Sequence, residues 1–165
     1  MAKFPSDEWV KLYCEKLNSN QKYADVGKNW EGDIVFVVEK DENHPRDDHI
    51  YLDLYHGKCR SARYIHVGEE VPKSEFSYKG KFGNWRKLMD GQIDPIQGIL
   101  TGKFKLDGSK MKIMRFTSAA KEMVNTASTV ETEFLDRVCG FSGHQESFSV
   151  KIPCRFFPWW RAGDS

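Results

Sequence analysis

The sequence predicts an α+β layer structure. Strand-type patterns are concentrated between residues 34 and 78, helix-type patterns prevail from residue 85 to residue 127, and one further helix precedes the strands. Strands that cluster before helices are typical of α+β domains, whereas a parallel α/β sheet requires the two to alternate along the chain. The order of the elements therefore indicates the fold class.

The first helix is predicted to follow Ser6. Ser6 is a good N-cap, and the acidic side chains of Asp7 and Glu8 suit the positive end of a helix. The apolar residues that recur at helical spacing are Trp9, Val10, Tyr13, Cys14 and Leu17. The polar run at residues 18–20 ends this pattern, and a polar connection then leads to Trp30 and Gly32.

Four strands are predicted next. Residues 34–38 form a continuous β-branched run, which is typical of a strand covered on both faces. Residues 50–55 alternate between apolar and polar, residues 56–58 predict a tight reversal, and residues 59–67 form the hairpin partner. Phe76 and Tyr78 mark the fourth strand.

Short helices and a fifth strand complete the pattern. Residues 85–89 predict one helix, and the Asp94-Pro95 pair predicts the start of a second, because a capping carboxylate stands before a proline at the first helical position. Residues 104–106 predict the fifth strand. A single long helix is then predicted over residues 109–127.

Composition argues against a nucleic-acid-binding, secreted or membrane-spanning protein. The chain has 165 residues and a net charge of +1, which fits one domain and offers no electrostatic field for collecting nucleic acid. Its four cysteines lie far apart, as expected for reduced thiols. The charged N-terminal segment lacks the apolar run of a signal peptide, and no stretch has the length of a membrane span. We therefore expect a cytoplasmic protein.

One segment resembles a known family. It begins FSYKGKFGNWRKLMDGQIDPIQGILTGKFKLDGSKMKIMRF at Phe76, and its most specific part runs from Gly91 through Asp94-Pro95 and residues 101–106 to Gly108. These residues are similar to the sterol carrier protein 2 family, and the likeness covers roughly residues 30–125. The resemblance implies a five-stranded, mostly antiparallel sheet covered on one face by helices, with an apolar tunnel between the layers.

The resemblance also implies a function. Members bind sterols, fatty acids, acyl-CoA thioesters or phospholipids, and the domain is not known for chemistry. We expect residues 1–127 to form the lipid-binding domain and residues 128–165 a C-terminal extension packed on it. The predicted protein is a non-catalytic intracellular carrier of one apolar ligand, without a cofactor. The alternatives are an enzyme or enzyme-accessory domain that holds an acyl or amphipathic substrate in the same tunnel, and a ligand-free interaction module.

The predicted long helix is apolar on two sides. One stripe consists of Ile113, Phe116, Ala120, Met123 and Val124, whereas Met111 and Met114 fall on another side. Ordinary core packing is one interpretation, and a cavity lined by adaptable methionines is the other. The residues predicted to line the tunnel are Trp85, Met89, Ile96, Ile99, Leu100, Met111, Met114 and Phe116.

Other candidate sites are weaker. A zinc site would need the ligands His49, His56, His66 and Cys59, whose spacing is not that of a zinc motif. Cys139 and His144 are close in sequence, which by itself does not make a nucleophile and its base. Gly80 and Gly83 are too few for a phosphate loop and predict a solvated turn. We therefore predict neither a metal site nor a catalytic residue.

The C-terminal extension carries an aromatic cluster, which consists of Phe156, Phe157, Trp159 and Trp160. Arg155 and Arg161 flank it. An apolar patch of this size is rarely exposed to solvent. We therefore expect the extension to fold back over the sheet or the tunnel mouth. The alternative is a transient contact with a membrane surface, because Trp favours the interface and Arg favours anionic headgroups.

Overall fold

The structure is a computed structural model that describes residues 1–134. Its helices are α1 (Asp7–Ser19), α2 (Gln21–Val26), α3 (Phe82–Met89), α4 (Pro95–Leu100), α5 (Lys110–Arg115) and α6 (Thr117–Ser128). Its strands are β1 (Ala2–Phe4), β2 (Glu31–Glu39), β3 (Asp48–Tyr55), β4 (Lys58–Ile65), β5 (Phe76–Lys81), β6 (Phe104–Asp107) and β7 (Thr132–Phe134).

The main sheet has five strands in the order β4-β3-β2-β5-β6. The β2–β5 pair is parallel and the other three pairs are antiparallel, so the predicted mostly antiparallel α+β fold is confirmed. The long connection between β4 and β5 returns the chain to the centre of the sheet. A second sheet, which the sequence patterns did not predict, is the parallel pair of β1 and β7.

The β3–β4 hairpin turns at His56 and Gly57, whose φ angles are 48° and 74°. Positive φ at both central residues matches the right-handed twist of the two strands. A side chain at Gly57 would also place its Cβ 2.4 Å from the carbonyl oxygen of Ala24. The turn therefore depends on this glycine for its backbone angle and for the close approach of α2.

The prediction of one long helix over residues 109–127 is wrong. Ser109 caps α5 as expected, but the chain leaves helical geometry at Phe116, where φ is −109° and ψ is 27°, and α6 begins at the next residue. The Phe116 ring packs edge-on against Trp30 at 5.1 Å between ring centroids. The break thus divides the segment into two helices beside a buried aromatic contact.

Phe104 organises the packing between β5, β6 and the short helices. Its ring stacks on Tyr78 at 4.6 Å and meets Trp85 edge-on at 5.3 Å. Gly80 and Gly98 lie against this ring, and a Cβ on either would come within 2.8 Å of it. Gly80 is buried in β5, so the prediction of a solvated turn at this position is wrong.

Residues 128–134 pack on the same core. The Trp9 side chain donates a hydrogen bond to Thr132 (2.8 Å), and the ring of Phe134 lies 5.8 Å from that of Phe4. The division into residues 1–127 and 128–165 stays a prediction, and the aromatic cluster at 156–160 lies outside the described residues. Among residues 1–134, no helix is long and apolar enough to cross a membrane.

Candidate ligand-binding site

An apolar cavity of about 80 Å³ lies between the main sheet and the helices. Strands β2, β3, β5 and β6 supply one wall, and all six helices contribute to the other. The cavity-lining aromatic residues are Phe4, Trp9, Tyr13, Tyr23, Trp30, Phe36, Tyr78, Trp85 and Phe116. Among the described residues, no Asp, Glu, Lys, Arg or His side chain lines it.

Most polar atoms of these aromatic side chains are bonded to the protein. The Tyr13 hydroxyl donates to the carbonyl oxygen of Met123 (3.0 Å), and the Tyr78 hydroxyl donates to that of Pro95 (3.0 Å). The indole of Trp85 donates to the backbone oxygens of Val37 and Gly80 (3.1 and 3.0 Å). These bonds leave mainly carbon surface facing the cavity.

Burial also keeps the cavity uncharged. Loss of hydration raises the pKa of Tyr13 well above its ordinary value, and raises those of Tyr23 and Tyr78. Because their pKa values lie above the usual tyrosine value of about 10, the three phenols are neutral at physiological pH. The arrangement can bind an apolar molecule, and within residues 1–134 its wall offers no ionised group to act as a base or a nucleophile.

Comparison with known proteins identifies the family. The sequence profile of the SCP-2 sterol transfer family matches residues 10–121, which is more than half of the chain. The chain belongs to this family. Membership assigns it to the lipid-binding and lipid-transfer domains and confirms the resemblance found in the sequence. A search of curated protein sequences found no significant match.

Solved structures agree with this assignment. A crystal structure of sterol carrier protein 2 is 26% identical, with a TM-score of 0.68, over 74% of this chain and 95% of that chain. A conserved hypothetical protein from Thermus thermophilus, described as a possible sterol carrier protein, is 27% identical, with a TM-score of 0.70, over 78% of this chain and 90% of that one.

A more distant likeness concerns the fold alone. Sterol carrier protein 2 from Yarrowia lipolytica, in its apo form, is 19% identical, with a TM-score of 0.51. The match covers 72% of this chain and 88% of that chain.

Five of the eight residues predicted to line the tunnel surround the cavity of this SCP-2 domain. They are Trp85, Met89, Ile96, Ile99 and Phe116. They come from α3, from α4 and from the break between α5 and α6. Their role in holding a ligand stays a prediction.

The other three predicted residues lie elsewhere. Leu100, Met111 and Met114 are 70%, 74% and 58% exposed and are not part of the cavity wall. On α5, Ile113 points inward, so the side that carries Met111 and Met114 points to solvent. Leu100 is the last residue of α4. The expectation that the methionine side of the helix faces the cavity is therefore wrong.

Sequence reasoning missed several lining residues. Trp9 and Tyr13 had been assigned to the apolar face of the first helix, Met123 to the apolar stripe of the long helix, and Tyr23 to a polar connection. Aromatic residues four apart, such as Trp9 and Tyr13, are a signal for an aromatic helix face, but they do not show what that face covers. Tyr23 had no such signal, because α2 has only six residues.

The cavity is smaller than a typical ligand site. Pockets for small molecules usually measure about 300–1,000 Å³, and a dry cavity of about 150 Å³ binds benzene. The cavity of this SCP-2 domain, at about 80 Å³, is therefore smaller than a long-chain lipid requires.

Two lysines link the helical layer to neighbouring elements. Lys112 on α5 donates to the backbone oxygen of Glu31 (2.5 Å) and to the carboxylate of Glu75 (2.8 and 3.0 Å). Lys121 on α6 pairs with Asp94 at the start of α4 (3.3 Å). Exposed ion pairs contribute little stability, so these contacts add little to the packing of the helices.

The candidate zinc ligands contact different partners. His56 pairs with Glu31 (2.8 Å), His66 pairs with Asp7 (3.0 Å), and the sulfur of Cys59 lies 2.8 Å from that of Cys14. Within residues 1–134, no group of three or more His, Cys, Asp or Glu side chains could hold a metal ion. Cys139 and His144 lie outside the described residues.

Proposed function

We propose that the protein is a non-catalytic carrier that binds one apolar ligand between its sheet and its helices. The observation that carries this proposal is the apolar cavity of an SCP-2 domain, whose wall contains no ionised side chain among the described residues. Apolar surface that leaves water contributes about 25 cal/mol per Å². A long hydrocarbon can therefore be held without many polar contacts.

Ligand entry in this proposal enlarges the cavity into a tunnel. Its wall includes Ile113 on α5, Phe116 at the break and Met123 on α6. The contacts between these helices and the rest of the domain include the lysine contacts described above. Outward movement of these helices would open the space while the sheet keeps its hydrogen bonds. The break at Phe116 lets the two helices move separately.

The rival functions receive less support. An enzyme acting on a lipid would be expected to direct a titratable side chain at its substrate, and the tyrosines of the cavity are neutral at physiological pH. An interaction module would be expected to fill this space with its own side chains. The remaining volume and its apolar wall therefore favour a carrier.

Binding of a fluorescent lipid tests the proposal. Delipidated protein titrated with cis-parinaric acid should enhance its fluorescence at micromolar concentration, and native mass spectrometry should show one ligand per chain. Ile113→Glu, which puts a carboxylate into the cavity wall, should weaken binding by about 10-fold or more, because an unpaired charge is costly there. Met114→Glu is the matched control on the exposed side of α5 and should bind normally.

Ala120→Phe tests the same site without a charge. Ala120 lines the cavity, and a phenyl ring would occupy much of its volume, so binding should weaken while the circular dichroism spectrum stays native. If wild-type protein does not bind the probe, or if both of the cavity variants bind it as well as Met114→Glu does, the carrier proposal is wrong.

A further inference from the structure

Cys14 and Cys59 bring two thiols together outside the cavity. Cys14 lies on α1, Cys59 lies on β4 at the edge of the main sheet, and their sulfur atoms are 2.8 Å apart. Both residues are free cysteines. Neither of them lines the cavity, so the proposed carrier function gives this pair no role.

The packing of α1 on the sheet edge holds the two sulfurs in this position. The side chain of Asn18, one helical turn after Cys14, donates a hydrogen bond to the carbonyl oxygen of Cys59 (2.9 Å). The same side chain accepts a hydrogen bond from the amide of Cys59 (2.9 Å). These two bonds fix the backbone of Cys59 relative to α1. Since a disulfide has an S–S distance of ~2.05 Å, the two sulfurs need to approach by only about 0.8 Å to form one.

The two thiols differ in their access to solvent. Cys14 is partly exposed, whereas Cys59 is 4% exposed. Burial raises the pKa of the Cys59 thiol, so this thiol stays protonated at physiological pH. An oxidant from solvent therefore meets the sulfur of Cys14 first, and Cys59 is the second thiol behind it. A solvent-accessible thiol next to a second cysteine is common at redox-sensitive sites.

We propose that Cys14 and Cys59 form a reversible oxidation site, at which hydrogen peroxide converts the two thiols into a disulfide. The sulfur of Cys14 attacks one peroxide oxygen and the O–O bond breaks, which gives a sulfenic acid and one water that carries the Cys14 proton. The sulfur of Cys59 then attacks the Cys14 sulfur. The S–S bond forms, the S–O bond breaks, and a second water leaves with the Cys59 proton. The two sulfurs lose two electrons, and the peroxide is reduced to water.

The disulfide would join α1 covalently to the edge of the main sheet. Helix α1 carries Trp9 and Tyr13 in the cavity wall, and Leu54, which pairs with Cys59 across the β3–β4 ladder, lies in the same wall. The two cysteines are 45 positions apart in the chain, so the bond restricts the unfolded state far more than the folded one. We therefore expect oxidation to stabilise the domain. This inference does not depend on lipid binding.

The test uses the full chain with Cys139→Ser and Cys154→Ser, so that Cys14 and Cys59 are its only thiols. After treatment with hydrogen peroxide and alkylation in denaturant, the intact protein should be lighter than the reduced form by two hydrogen atoms and should carry no alkyl group. One proteolytic product should join the peptides of Cys14 and Cys59. The melting temperature should rise by roughly 5–15 °C, and dithiothreitol should reverse all of these changes.

Cys59→Ser in the same background is the matched control, since it keeps Cys14 and removes the second thiol. Peroxide should convert its Cys14 to a sulfenic acid that dimedone labels, without an intramolecular disulfide and without a rise in melting temperature. If the treated background protein keeps both thiols open to alkylation, or if its Cys14 reaches the sulfinic acid without a disulfide, the inference is wrong. Equal rates of disulfide formation in native protein and in concentrated urea would also overturn it, because the fold would then contribute nothing to the reaction.

Discussion

Gly80 shows how a single residue can serve the core of the domain. It lies in β5 against the ring of Phe104, where any side chain would displace a neighbour. The ring in turn contacts Tyr78 and Trp85, which both line the cavity. The absence of a side chain at Gly80 therefore helps to set the position of two cavity residues.

Gly80→Ala should destabilise the protein. The new Cβ would stand 2.4 Å from two ring carbons of Phe104, and overpacking of this kind costs about 1–3 kcal/mol. The control is Gly83→Ala in α3, where the nearest atom is a side-chain oxygen of Asp41 at 3.3 Å, and its stability should be unchanged or slightly higher. Urea unfolding measures both. Equal stability of the two variants would contradict the contact between Gly80 and Phe104.

The N-terminus of α4 controls the position of a whole element. One oxygen of Asp94 accepts hydrogen bonds from the backbone of Ile96 (2.9 Å) and Gln97 (3.2 Å), and the other pairs with Lys121 on α6 (3.3 Å). Pro95 occupies the first helical position, where it requires no hydrogen bond. A helix of six residues is unstable alone, so this cap and its packing keep it in place.

Asp94→Ala should lower the free energy of unfolding by about 1 kcal/mol, the usual effect of losing an N-cap. Asp94→Asn keeps an oxygen that can cap the helix and loses only the exposed pairing with Lys121, so its loss should be less than about 0.5 kcal/mol. Chemical denaturation measures the difference. A loss in Asp94→Asn as large as that in Asp94→Ala would show that the ion pair, and not the cap, stabilises α4.

Buried tyrosines affect the stability of the whole molecule at alkaline pH. Burial raises the pKa of Tyr13, Tyr23 and Tyr78, and burial together with a hydrogen bond to Asp48 raises the pKa of Tyr64 to about 12. The unfolded chain releases these protons near pH 10. Between pH 10 and about 12 the unfolded state therefore binds fewer protons than the folded state, and stability falls as pH rises.

The free energy of unfolding should be nearly independent of tyrosine ionisation below pH 9 and should fall steeply above pH 10. Each fully buried tyrosine contributes up to about 1.4 kcal/mol per pH unit to this slope. Tyr78→Phe removes one of these groups, so its slope between pH 10 and 11.5 should be smaller than that of wild type. Urea unfolding at fixed pH values measures the slope, and an unchanged slope in Tyr78→Phe would contradict the role of burial.

Local patterns in the sequence were sufficient to predict the main-sheet strands and most helices. Alternation in residues 50–55, the turn at His56-Gly57 and the Asp94-Pro95 start signal all depend on neighbours in the chain, so each could be predicted without the fold. The β1–β7 sheet could not, because its two strands are short and more than 120 residues apart in sequence. The break at Phe116 was missed because its neighbours fit a continuous helical pattern.

The sequence by itself determined the fold class, through periodicity, capping and turn chemistry. Its resemblance to known members indicated the family and, with it, five of the cavity-lining residues. Tertiary structure decided which side of each helix meets the cavity. In the folded protein, Ile113 points inward and Met114 points to solvent, and Tyr23, which belongs to a polar segment of the sequence, lies in the cavity wall. The physical reason is that helical periodicity defines an apolar stripe but not its partner.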